Sequence, residues 1–223
     1  MNAHAASVLT DSASMLDLTA FNSAELNKSP YEYMVLPDFL KADALEAISR
    51  DFPVIKQAGS FPFDTLKCGP AFIELMHQLE GETFRHAVEK KFNVDLTGRP
   101  TMITVRGHTD ETDGRIHTDS KTKIITMLIY FNEAWQKSGG RLRILRSGTD
   151  LEDYVAEVEP AIGTLLAFRR SDNSWHGHKP FVGERKALQL NWVLDEQVKR
   201  REQKRHGFSA FFKKLFGNKE YAG

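Results

Sequence analysis

Two short stretches hold the side chains best suited to chemistry: IHTD, residues 116–119, and WHGHKPFVGER, residues 175–185. His117 and Asp119 are two apart, so on a strand they point to the same side and can grip one ion. His176 lies on a later candidate strand, which a closed sheet can bring beside them. Two imidazoles and one carboxylate on one face of a metal leave its opposite face open for substrate and oxygen, the facial arrangement of non-haem Fe(II) sites. An HxD pair alone, in a chain with 8 histidines, is weak. Its combination with His176, and with Arg185 nine positions further on, carries the reading.

The elements that must position these residues divide into two textures. Before Pro100 the pattern is helical. YMVLPDFL (33–40) reads as a short strand ending in a turn. Leu45, Ile48 and Phe52 have helical spacing, and Pro53 limits that helix. From Pro70 the apolar positions Phe72, Leu75, Met76 and Leu79 define a longer helix, which Phe84, Ala87 and Val88 continue past Gly81. After Pro100 the texture changes to eight short candidate strands: 101–107, 114–120, 123–132, 141–147, 154–160, 163–170, 174–180 and 185–194. Helices first and strands afterwards predict an α+β chain whose strands close as a jelly roll or related double-sheet barrel. In the last strand Arg185, Ala187, Gln189 and Asn191 share one face, and Leu188, Leu190, Trp192 and Leu194 the other. The apolar face needs the helices as cover. The polar face then points into the barrel, where its groups need partners or a ligand.

At 223 residues the chain is long enough for one ample core. Hydrophobic residues make up 41% and charged residues 27%, ordinary for a soluble globular protein. The formal net charge of +0 offers no general steering field, so no nucleic-acid partner is expected. The one cysteine, Cys68, excludes an internal disulfide and a CxxC zinc site, and fits a reducing, cytoplasmic setting. No signal peptide or spanning helix is read.

With these residues in view, the chain resembles the iron(II)- and 2-oxoglutarate-dependent dioxygenases, in their prolyl-4-hydroxylase-like branch. The resemblance runs over residues 30–195 and rests on VLPDFL, IHTD, LIYFNEAW, GGRLRIL, GTLLAF and WHGHKPFVGER, in that order. It implies a double-stranded β-helix (jelly-roll, cupin-like) core with the N-terminal helices on the outer face of the major sheet. It implies that His117, Asp119 and His176 hold Fe(II) as the catalytic centre, and that Arg185 pairs with the far carboxylate of 2-oxoglutarate. A guanidinium suits that task, because it holds both carboxylate oxygens in one plane. Tyr130 takes the place of a tyrosine that bonds the same carboxylate; Thr126 shares its strand face. Leu142 matches an apolar wall of the cosubstrate pocket, and Gln189 stands where relatives carry a small polar group. The implied reaction consumes O2 and 2-oxoglutarate, releases succinate and CO2, and hydroxylates a protein residue, prolyl-like, or a small molecule, with ascorbate as a candidate reductant.

Some positions keep two readings. His178 is either a substrate contact or neighbour of a ligand, or a structural hydrogen bonder at the barrel rim. The loop 106–115, with Arg106, is either a solvated hairpin tip or a mobile lid. Residues 1–25 read as a loose tail, 26–195 as the catalytic domain, and 196–223 as a basic amphipathic helix. That last segment sets eight basic side chains against Glu196, Glu202 and Glu220, with Phe208, Phe211, Phe212, Leu215 and Phe216 at helical spacing. It suits an anionic membrane surface, a partner, the catalytic domain or a second copy. A reading of another class is a non-catalytic, metal-holding jelly-roll module recruited through this helix.

Overall fold

Alternation along RKALQLNWV demands a different neighbour for each face of one strand, and the chain supplies both. The computed structural model describes residues 14–201 and places β9 (Gly183–Val193) inside a six-stranded antiparallel sheet. On one side lie β4 (Lys123–Tyr130), β7 (Leu165–Arg169) and β1 (Tyr33–Leu36); on the other lie β3 (Thr101–Thr109) and the two-residue β2 (Phe61–Pro62). A smaller sheet has β5 (Leu142–Leu145) between β6 (Tyr154–Val158) and β8 (His176–His178). The two sheets form the expected jelly-roll core.

The outer face of the large sheet presents Leu188, Leu190, Trp192, Ile103, Val105, Ile125 and Met127. The helices α1 (Leu18–Ser23), α2 (Ala42–Asp51), α3 (Pro70–Glu80) and α4 (Glu82–Phe92) supply the cover, through Phe21, Phe72, Leu75, Met76, Phe84 and Val88. The inner faces meet over Tyr130, Leu142, Ile144, Val158, Leu166, Phe168 and Ala187. That apolar packing fills only part of the space between the sheets.

Three local expectations are corrected. The helix from Pro70 does not run on past Gly81; extended backbone there (φ −70°, ψ 154°) ends α3 and begins α4. Each short helix can then set its own apolar side against the sheet. Residues 114–120 form no strand, only a single bridge between His117 and His176. The N-terminal stretch is not loose from residue 14 onward. Asp17 accepts a hydrogen bond from the Ala20 N–H and caps α1, while Leu16 and Phe21 are buried. At the other end, residues 196–201 are helical, but the phenylalanine-rich part of the predicted basic helix lies outside the described residues.

Phe84 is the hinge of this cover, touching the rings of Phe21, Phe39 and Trp192. Phe84→Ala should lower the unfolding free energy by about 3–5 kcal/mol in urea titrations. Ile73→Ala, at a residue 38% exposed on α3, should cost well under half of that.

Candidate metal centre and adjoining cavity

His117 reaches its place without a strand to carry it. Its N–H donates to the His176 carbonyl and the His176 N–H donates back, both at 3.0 Å, so one reciprocal pair pins the segment to β8. The two imidazoles then stand with ring centres 4.3 Å apart. Asp119, buried, follows two residues on. One donor atom from each of His117, Asp119 and His176 lies within 4.8 Å of the others.

The chemistry of this donor set fits a divalent metal. His117 Nδ1–H donates to the Arg115 carbonyl at 2.8 Å, and His176 Nδ1–H to the Ser174 carbonyl at 2.9 Å. A carbonyl can only accept, so each ring carries its proton on Nδ1 and keeps the Nε2 lone pair for a ligand role. His117 is exposed while the other two are buried, so the cluster sits at the mouth of the barrel.

Burial opposes ionisation of Asp119. It is overcome by the Lys123 ammonium 2.9 Å from Oδ1, by His176, and by the Thr126 hydroxyl, which donates to Oδ2 at 2.5 Å; together they hold the carboxyl down at about 2. Burial pushes His176 to about 4, with Asp119 pulling the other way. His178 is likewise pushed to about 4, by burial and then by the Arg185 charge.

A cavity of about 510 Å³ runs inward from this cluster. Arg185 is buried at its far end, donating through Nε to the Gly140 carbonyl at 2.7 Å. Its Nη2 lies 3.5 Å from the Tyr130 hydroxyl, and its guanidinium carbon 5.2 Å from the centre of that ring. Burial raises the Tyr130 phenol, so that phenol stays protonated beside the cation. Gly140 has φ +79°, and a side chain there would strike the Trp135 ring; one at Gly139 would strike the Pro180 carbonyl. The Gly-Gly pair thus lets backbone lie across Arg185.

Thr126, Leu128, Leu142, His178, Gln189 and Arg106 also line the cavity. The Thr126 hydroxyl is spent on Asp119. His178 gives its Nδ1–H to the Lys179 carbonyl and its backbone N–H to Gly114, whose φ of +88° admits no side chain against that ring. The loop after β3 is tied down: Arg106 holds Asp113 at 2.7 Å and the Ser60 hydroxyl at 3.0 Å. Lys123 and Asn191 are cavity residues that motif spacing does not single out. Asn191 was signalled by sharing a strand face with Arg185 and Gln189. Lys123 carried no signal beyond standing four residues after Asp119.

Residues 103–193 match the model of the 2OG-Fe(II) oxygenase superfamily. Among solved structures the fold is similar to a prolyl-4-hydroxylase from Pseudomonas putida (TM-score 0.52, 18% identity, 79% of this chain and 96% of that one). It is also similar to the viral collagen prolyl hydroxylase of Paramecium Bursaria Chlorella virus-1, solved as a 2OG complex (TM-score 0.50, 16% identity, 73% of this chain and 96% of that one). No curated protein matches the sequence. Among the described residues, no helix is long and apolar enough to cross a membrane.

The two buried imidazoles set a pH dependence. Their folded values, about 4, lie below the ordinary 6.5, so the unfolded chain takes up protons first. Their contribution is whole above about pH 6.5 and is lost as pH falls toward about 4. Asp119, held down at about 2, adds stability that is lost only below about 3.8. The melting temperature of metal-free protein should therefore fall steadily from about pH 6.5 to about 4. His178→Asn should flatten part of that slope.

Proposed function

We propose that this 2OG-Fe(II) oxygenase domain hydroxylates its substrate at a centre held by His117, Asp119 and His176, with Arg185 fixing the cosubstrate. The observation that carries the reading is one cavity with a two-histidine, one-carboxylate cluster at its mouth and a buried arginine at its floor. When bound, Fe(II) and 2-oxoglutarate activate O2 for C–H hydroxylation, with release of succinate and CO2.

The remaining work belongs to the chain. The carbonyls of Arg115 and Ser174 fix the histidine tautomers. Thr126 and Lys123 keep the Asp119 carboxylate ionised and oriented. Arg185 receives the distal carboxylate of 2-oxoglutarate, with the Tyr130 hydroxyl behind it and outside the cavity lining, and Leu128 and Leu142 exclude water from its chain. Gln189 lies beside them on the cavity wall. His178 acts by packing against the loop at Gly114 rather than as a ligand. The catalytic unit takes in residues 14–195, since Leu16 and Phe21 pack into the core. The lone Cys68 suits a reducing cytoplasm. The substrate is a prolyl-like protein residue or a small molecule.

Anaerobic titration with Fe(II) and then 2-oxoglutarate should produce the visible charge-transfer band of the chelate. Arg185→Ala should weaken cosubstrate binding by about 2–5 kcal/mol, as expected when a buried charge partner is truncated. Iron bound without any band would refute the cosubstrate assignment. His117→Ala and His176→Ala should lose Fe(II) in equilibrium dialysis, and His178→Ala should retain it. Equal loss in all three would overturn the ligand set.

A further inference from the structure

The proposed metal and cosubstrate use only part of the cavity. Strand register makes its floor a grid: Thr126, Asn191 and Met102 form one row across β4, β9 and β3, and Leu128, Gln189 and Thr104 the next. With Leu128 and Leu142 serving the cosubstrate, the unused wall includes Ser60, Thr104, Gln189, Asn191 and Met102, together with Thr118, Ser120, His178 and charged groups. Met102 is its one apolar side chain, and no Phe, Tyr or Trp lines the cavity. A prolyl ring or alkyl chain draws its binding from apolar contact, and beyond the two leucines given to the cosubstrate only Met102 offers it.

The wall offers polar contacts instead. Asn191 receives the Gln189 Nε2–H at 3.3 Å on its Oδ1, which lies 3.0 Å from the Thr126 hydroxyl oxygen. That hydroxyl has one proton and gives it to Asp119 at 2.5 Å. The amide turned the other way would donate to Thr126 and leave Oδ1 over. In either orientation one amide atom has no protein partner; with Oδ1 toward Gln189 it is Nδ2, the one such buried side-chain atom among the described residues.

Charge points the same way. Among the lining residues Arg106, Lys123 and Arg185 face Asp113 and Asp119, which leaves one positive charge. A divalent metal and a doubly charged cosubstrate add nothing net. Arg106 is paired with Asp113, and Arg185 is assigned to the cosubstrate. Lys123 is the excess cation. Its side chain is 14% exposed and its counter-charge is Asp119, which a metal would share. With its carboxylate shared by a metal, an ammonium so placed is left with charge that a second anion can balance.

We infer that the primary substrate is a small, polar, carboxylate-bearing molecule whose carboxylate is received by Lys123 and whose other polar groups meet Asn191 and Gln189. This rests on the oxygenase reading above, and it departs from a peptide substrate.

The test uses the anaerobic Fe(II)–2-oxoglutarate complex of the full chain, at metal and cosubstrate saturation for each variant. Acetate, L-proline, L-aspartate and L-malate are titrated against L-prolinamide and a doubly blocked prolyl peptide, with the shift of the visible band as readout. Free acids should shift the band and the uncharged probes should not. Lys123→Met should weaken the acids at least tenfold, and Lys123→Arg should restore most of the loss. The inference is overturned by a band indifferent to every acid at tens of millimolar, by a stronger response to the blocked peptide, or by unchanged acid affinity in Lys123→Met. Absence of the band before any probe is added is a separate result, and it sinks the oxygenase reading itself.

Discussion

Polar groups placed between two sheets must be satisfied there, and this constraint organises the molecule. The inward row of β9 carries Arg185, Gln189 and Asn191, side chains that an apolar core would reject. The apolar cluster around Tyr130, Ile144 and Phe168 fills one part of the interior, and the polar row opens into the cavity. The helices cover the outer face for the complementary reason: Leu188, Leu190 and Trp192 on the same strand cannot be left in water.

Electrostatics inside the cavity is a set of local balances. Asp119 stays ionised although buried, because an ammonium and a hydroxyl address its two oxygens separately. Arg185 stays charged although buried, with a neutral phenol and a backbone carbonyl for company rather than a carboxylate. The difference has a physical meaning. Arg185, surrounded by dipoles, is free to take an anion from outside, whereas Lys123 is balanced by Asp119 for as long as no metal shares that carboxylate.

The sequence was most legible where periodicity is strongest. Strand alternation assigned both faces of β9, and apolar spacing marked the buried residues of α3, Phe72, Leu75, Met76 and Leu79. The segment around His117 reads as a strand because its composition suits one, although only one reciprocal pair of hydrogen bonds forms there. Its two side chains still converge, since an extended backbone separates faces by the same alternation without a full ladder. The break at Gly81 is not legible, because a glycine inside a periodic pattern carries no sign of whether the axis continues or turns. Lys123 could not be read at all. Its role depends on the path between Asp119 and β4, which no spacing rule encodes.

The single bridge between His117 and His176 has a mechanical consequence. Two donors of the cluster ride on an irregular segment and the third on a strand, so an ion held by all three acts as a cross-link between parts of the chain far apart in sequence. Closing such a loop through a metal removes chain entropy from every opened form of the barrel mouth. Occupancy of the site then sets how often the mouth gapes, and with it how readily a protease can cut there.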